Sequence, residues 1–120
     1  MRYTHLPIFK DSYNLSFEVY QRIKEFPREY KYTLGQRLKE KISDFLDDIV
    51  KANSLENKLE NLESAQLKLE CLKIHLRLAF DLKIMGKKSF EFVVRKTEII
   101  SKQLSGWISY EKKGQSKLKI

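Results

Sequence analysis

The stretch Asn61 to Met85, NLESAQLKLECLKIHLRLAFDLKIM, decides how the chain is read. At about 100° per residue, Leu62, Ala65, Leu69, Leu72, Leu76 and Ala79 fall on one side of a helix. Leu67, Cys71, Ile74, Leu78, Leu82 and Met85 fall on nearly the opposite side. A bundle helix ordinarily buries one apolar stripe, so a helix apolar on two opposing faces needs cover on both. Either the helix lies between neighbours of its own chain, or its second face meets another copy. An exposed apolar strip of that length is a liability on a monomer, so Leu67, Cys71, Ile74, Leu78, Leu82 and Met85 are expected to form an oligomer interface.

Working outward, the polar stretch NSLENKLEN separates this third helix from a second one, in which Leu34, Leu38, Ile42, Phe45 and Ile49 recur at steps of three and four as far as about Asn53. The first helix is expected to start near Pro7, which a first turn tolerates, and to stop at Phe26 and Pro27. Its stripe is Phe9, Tyr13, Phe17 and Tyr20, broadened by Leu15, Val19, Ile23 and Phe26. Downstream, the third helix is expected to run to Met85 with Gly86 as its C-terminal cap, and Ser89 to cap a fourth. That helix carries Val93, Thr97, Ile100, Leu104 and Trp107 on one stripe. Four helices with short connections imply an all-α, antiparallel up-down-up-down bundle over residues 1–111, followed by a basic, flexible tail at 112–120.

Composition agrees with one helical domain. The chain has 120 residues, 42% of them hydrophobic and 33% charged, enough apolar material for one core. Only four Gly and two Pro are present, too little turn punctuation for a sandwich or barrel. The single Cys71 has no partner for an intrachain disulfide, which suits a reducing cytoplasm. No run approaches the roughly 20 apolar residues of a membrane span, and MRYTHLPIFKD lacks a signal peptide's apolar centre. A cytoplasmic protein with no membrane partner is expected.

Catalytic and metal patterns are missing. A carboxylate-bridged metal bundle needs inward Glu and Glu-x-x-His pairs, whereas His5 lies outside the bundle and His75 stands between Lys73 and Arg77. The Arg-to-His spacing of small helical ribonucleases does not occur. Cys71 has apolar neighbours that would raise its pKa rather than activate it. Asp44, Asp47 and Asp48 read as a solvated face, and Gly35 is too isolated for a phosphate-binding loop. Neither an enzyme nor a cofactor or metal site is expected.

Charge is the remaining signal. The net charge is +8, and residues 61–120 hold 13 Lys/Arg against 6 Asp/Glu, whereas residues 1–60 hold 11 against 10. Lys73 and Arg77 lie one turn apart on the polar seam of the third helix, a candidate phosphate grip. Lys83, Lys87 and Lys88 extend positive charge around the next turn, Arg95, Lys96 and Lys102 continue it, and Lys112, Lys113, Lys117 and Lys119 fill the tail. Such residues either bind RNA or DNA phosphates with little sequence preference or merely keep a structural, protein-interaction bundle soluble, and Glu91 and Glu98 are spaced to pair with Arg95 and Lys102. In the connector, Arg28, Tyr30, Lys31, Tyr32 and Arg37 interleave cations with aromatics. That pattern stacks bases or docks a protein, or else the tyrosines simply close the bundle end.

The segment FPREYKYTLGQRL, Phe26 to Leu38, with the preceding LPIFKDSY and the long helices that follow, resembles the accessory variability determinants of diversity-generating retroelements. The resemblance spans essentially the whole chain. The sequence is also similar to four-helix proteins encoded in ribosomal-RNA intervening sequences, and YTLGQRL favours the retroelement group. That resemblance implies a basic homopentameric barrel of four-helix protomers. It also implies partners: the retroelement's reverse transcriptase, and its template RNA or complementary DNA, during mutagenic retrohoming. No binding position is transferred from the family, so the residues above rest on charge and helical placement.

Overall fold

The computed structural model describes residues 6–54 and 58–118, with side-chain surroundings for 6–53 and 58–114. His5 and Lys119 lie outside the described residues, as does the side chain of Lys117. Every regular element among the described residues is helical: α1 (Pro7–Ile23), α2 (Arg28–Lys31), α3 (Leu34–Ser54), α4 (Lys58–Asp81) and α5 (Lys87–Leu118). The four long helices form a bundle 55 × 23 × 21 Å in extent. Both α1 and α4 pack on α3 and on α5, so α1 and α4 occupy opposite corners.

Pro7 opens α1 at its first position, where its missing N–H costs no hydrogen bond. The helix ends at Ile23, three residues before Phe26, whose buried ring anchors the turn ahead of Pro27. The Pro27 carbonyl accepts from the Tyr30 and Lys31 amides, which makes α2 a single turn. The Thr33 hydroxyl then donates to the Glu29 carbonyl and the Arg37 amide to the Thr33 carbonyl, so α2 is bonded directly onto α3. Gly35 explains the closeness of this junction. A Cβ there would lie 2.9 Å from Ile23 Cγ2 and 3.3 Å from the Tyr30 carbonyl oxygen. The glycine therefore serves this close packing.

The core comprises Leu15, Val19 and Ile23 of α1, Leu38, Ile42, Phe45 and Ile49 of α3, the Leu62-to-Ala79 stripe of α4, and Val93, Thr97, Ile100, Leu104 and Ile108 of α5. Thr97 satisfies its buried hydroxyl by donating to the Val94 carbonyl. In α1 the stripe expected to lead is not the buried one: Tyr13 and Phe17 are 60% and 53% exposed, and the aliphatic stripe faces inward. Asp48 also departs from expectation. It is buried, accepts from Ser64 Oγ at 2.8 Å, and pairs with Lys68 Nζ at 2.8 Å, tying α3 to α4.

The junction of α4 and α5 differs from the sequence reading in three respects. First, α4 ends at Asp81, and Lys83 rather than Gly86 is the left-handed residue, at φ 63°. The Ile84 amide donates to the Ala79 carbonyl and the Lys83 amide to the Phe80 carbonyl, the paired closure of a Schellman motif. Second, this turn brings Met85 back into the core at 4% exposure, so Met85 does not share the outer face of α4. Third, Gly86 supplies the carbonyl that accepts from the Phe90 amide, and Ser89 lies inside the first turn of α5, accepting from Arg22 Nε at 3.0 Å. At the other end, α5 continues past residue 111 to Leu118, so the expected domain boundary does not coincide with a helix end.

Candidate nucleic-acid and partner-binding surfaces

Three side chains hold α1 against α5: Gln103 Nε2 donates to Asp11, Lys96 Nζ to Asn14, and Arg22 Nε to Ser89. These contacts turn residues 89, 96 and 103 toward α1. The helical repeat then sends Lys88, Arg95 and Lys102 outward, at seven-residue intervals, about 10 Å apart along the axis. All three are exposed, and none forms an ion pair among the described residues. Glu91 contacts Lys87, at 4.0 Å, instead of Arg95. Lys112 and Lys113 extend the exposed positive surface toward the C-terminus.

Of the remaining cations expected to bind phosphate, Lys73, Arg77, Lys87 and Lys96 are engaged. Lys73 Nζ lies 3.1 Å from Glu70 and Arg77 Nε 3.0 Å from Asp81. Lys96, besides bonding Asn14, sits over the Phe92 ring at 4.8 Å, and Arg22 covers the same ring. Lys83 is exposed at the turn that its own backbone shapes. The expected basic set is thus not one patch. It divides into an unpaired row on α5, engaged residues on both α4 and α5, and Lys83 in the turn between them; the exposed ion pairs are cheap to open.

The outer face of α4 is open within the chain: Leu67 is 67% exposed and Ile74 65%, with Leu78 and Leu82 close to half exposed and Cys71 half-buried. Among the described residues, no neighbour covers this face. At one end the stripe runs into a groove of about 750 Å³ lined by Tyr30, Tyr32, Arg37, His75, Leu78 and Leu82, among others. The connector and the α4 face therefore form a continuous surface. The two tyrosines divide in role: Tyr30 is half-buried against the core and closes the bundle end, whereas Tyr32 is 74% exposed. Arg28 is exposed and Lys31 half-buried on the same short turn. His75 Nδ1–H donates to the Cys71 carbonyl one turn back, a structural bond.

Among the described residues no group of three His, Cys, Asp or Glu side chains is placed to hold a metal ion, and no helix is long and apolar enough to cross a membrane. The second exposed apolar surface, Tyr13, Phe17 and Tyr20 on α1, is one that sequence periodicity assigned to the core. Its only signal in the sequence was the aromatic composition of the stripe beside an aliphatic one.

The molecule is thus an all-helical bundle of four long helices with a basic row on one helix and apolar faces left open on two others. The chain belongs to the bAvd-like family, whose sequence model matches residues 8–111. That assignment agrees with the resemblance to the accessory variability determinants, and places the chain in a family of accessory, non-catalytic proteins. No curated protein matches the sequence.

Proposed function

We propose that this chain is the accessory protein of a diversity-generating retroelement, holding template RNA or complementary DNA on its basic surface and binding the reverse transcriptase to support mutagenic retrohoming. The observation that carries the nucleic-acid part is the row of unpaired Lys88, Arg95 and Lys102 on α5. Cations with no internal partner neutralise phosphates without first breaking an ion pair, and their regular spacing suits a backbone rather than a base edge. Lys73, Arg77, Lys87 and Lys96 contribute after their existing contacts open, and Lys83 adds its charge from the turn between α4 and α5.

The protomers run antiparallel, up-down-up-down, and assemble as a cytoplasmic homopentamer through the outer face of α4. The opposite sequence order of the contacts between α1 and α5, residues 11, 14 and 22 against 103, 96 and 89, supports the antiparallel course. The exposed Leu67, Ile74, Leu78 and Leu82 support self-association. The groove bearing Tyr32 and Arg37, with Arg28 and Lys31 beside it, is the surface for the polymerase.

Purification tests both parts. Nucleic acid is expected to copurify at low salt, with a high ratio of absorbance at 260 to 280 nm that falls after a high-salt wash. Light scattering in that wash is expected to give five times the chain mass of 14.3 kDa. A clean protein spectrum at low salt would count against the nucleic-acid role, and a stable monomer against the assembly.

A further inference from the structure

The uncovered faces on α1 and α4 are chemically unlike. On α4 the exposed Leu67, Ile74, Leu78 and Leu82 are aliphatic, and Glu60, Glu63, Glu70 and Asp81 border them at helical spacing. Glu70 and Asp81 share their charge with Lys73 and Arg77, whereas Glu60 and Glu63 are exposed with no ion pair among the described residues. On α1 the exposed Tyr13, Phe17 and Tyr20 are aromatic, and the exposed Lys10 and Lys24 lie on the same side of the helix. Residues 67–82 of α4 span about 22 Å of helix and residues 13–20 of α1 about 10 Å, so the aromatic stripe can lie within the length of the aliphatic one.

We infer that the α4 face of one copy receives the α1 face of the next, so that the chain associates head to tail. This inference rests on the self-association proposed above and names the two surfaces that meet. Pairing α4 with α4 would bring acidic borders together, and pairing α1 with α1 would oppose lysines; like charges set face to face cost several kcal/mol. Pairing α1 with α4 places lysines against glutamates and aromatic rings against aliphatic side chains. Since α1 and α4 occupy opposite corners, a pair joined by one such contact retains one unused face of each kind, α4 on one copy and α1 on the other. Such heterologous contacts propagate until a ring closes.

The test uses two full-length variants. Leu67→Gln, Ile74→Gln and Leu78→Gln together remove the α4 face, and Tyr13→Gln, Phe17→Gln and Tyr20→Gln remove the α1 face. All six positions are exposed, and circular dichroism checks that helicity is retained. Each variant alone is expected to scatter light as a 14.3 kDa monomer, while an equimolar mixture forms a 1:1 pair of twice that mass and stops there. Either variant remaining assembled alone, or a mixture remaining monomeric, overturns the pairing while a native oligomer leaves the self-association reading standing. A monomeric native chain overturns both. A second set avoids apolar changes: Lys10→Glu with Lys24→Glu is expected to weaken assembly, and adding Glu60→Lys with Glu63→Lys to restore it. Failure to restore it counts against the pairing.

Discussion

Gly35 and Ile23 are in contact so close that a Cβ on the glycine would stand 2.9 Å from Ile23 Cγ2, below the separation that real Cβ atoms keep. Ile23 is β-branched and 1% exposed, so it has little room to move. Gly35→Ala gains up to about 1 kcal/mol of helix propensity and loses about 1–3 kcal/mol to overpacking. A net loss of about 1 kcal/mol is expected in urea unfolding. Gly106, in the exposed middle of α5, is the control, because a Cβ there would meet nothing within 4 Å. At that position the same substitution is expected to stabilise by up to about 1 kcal/mol.

The left-handed Lys83 leads to a prediction of opposite sign. A side chain at positive φ costs about 1–2 kcal/mol, and glycine removes that strain while adding freedom to the unfolded chain. Lys83→Gly is expected to raise stability by about 0.5–1 kcal/mol in the same measurement, because the Schellman closure on Ala79 and Phe80 uses backbone groups alone.

Asp48 and Lys68 should respond unequally to substitution. Lys68 is 38% exposed and reaches water if its partner is lost, whereas Asp48 is 7% exposed at its side chain and would keep only Ser64. Asp48→Asn, which keeps the Ser64 contact, is expected to cost about 1 kcal/mol. Lys68→Met leaves a nearly buried carboxylate without its cation and is expected to cost about 2 kcal/mol, less than a fully buried pair because the lysine end faces solvent. Thermal unfolding of the two variants at neutral pH compares them.

Much of this architecture was legible in the residues. The inward stripes of α3, α4 and α5 follow the 3.6-residue repeat nearly position for position, because in those helices the inward stripe is continuous and aliphatic. In α1 two apolar stripes compete, and periodicity measures angles without saying which stripe faces inward. Leu15, Val19 and Ile23 fill the interior, while the ring edges and hydroxyls of Tyr13 and Tyr20 tolerate water. Met85 has the right angle for the outer face of α4, but the helix ends four residues earlier and the turn reverses its direction. Charge pairing was the least legible feature. Glu91 has a cation four residues away on each side, and spacing alone does not distinguish Lys87, which it contacts, from Arg95.

The nucleic-acid role of the α5 row is decided by RNA affinity measured as a function of salt for the native chain, for Lys88→Gln/Arg95→Gln/Lys102→Gln, and for Lys73→Gln/Arg77→Gln. Removing three phosphate contacts is expected to flatten the slope of log affinity against log salt by about 2 on single strands and about 3 on duplex. The paired Lys73 and Arg77 should change it by less, because their ion pairs already use part of their charge. A triple variant that binds with native affinity and an unchanged slope would contradict that role.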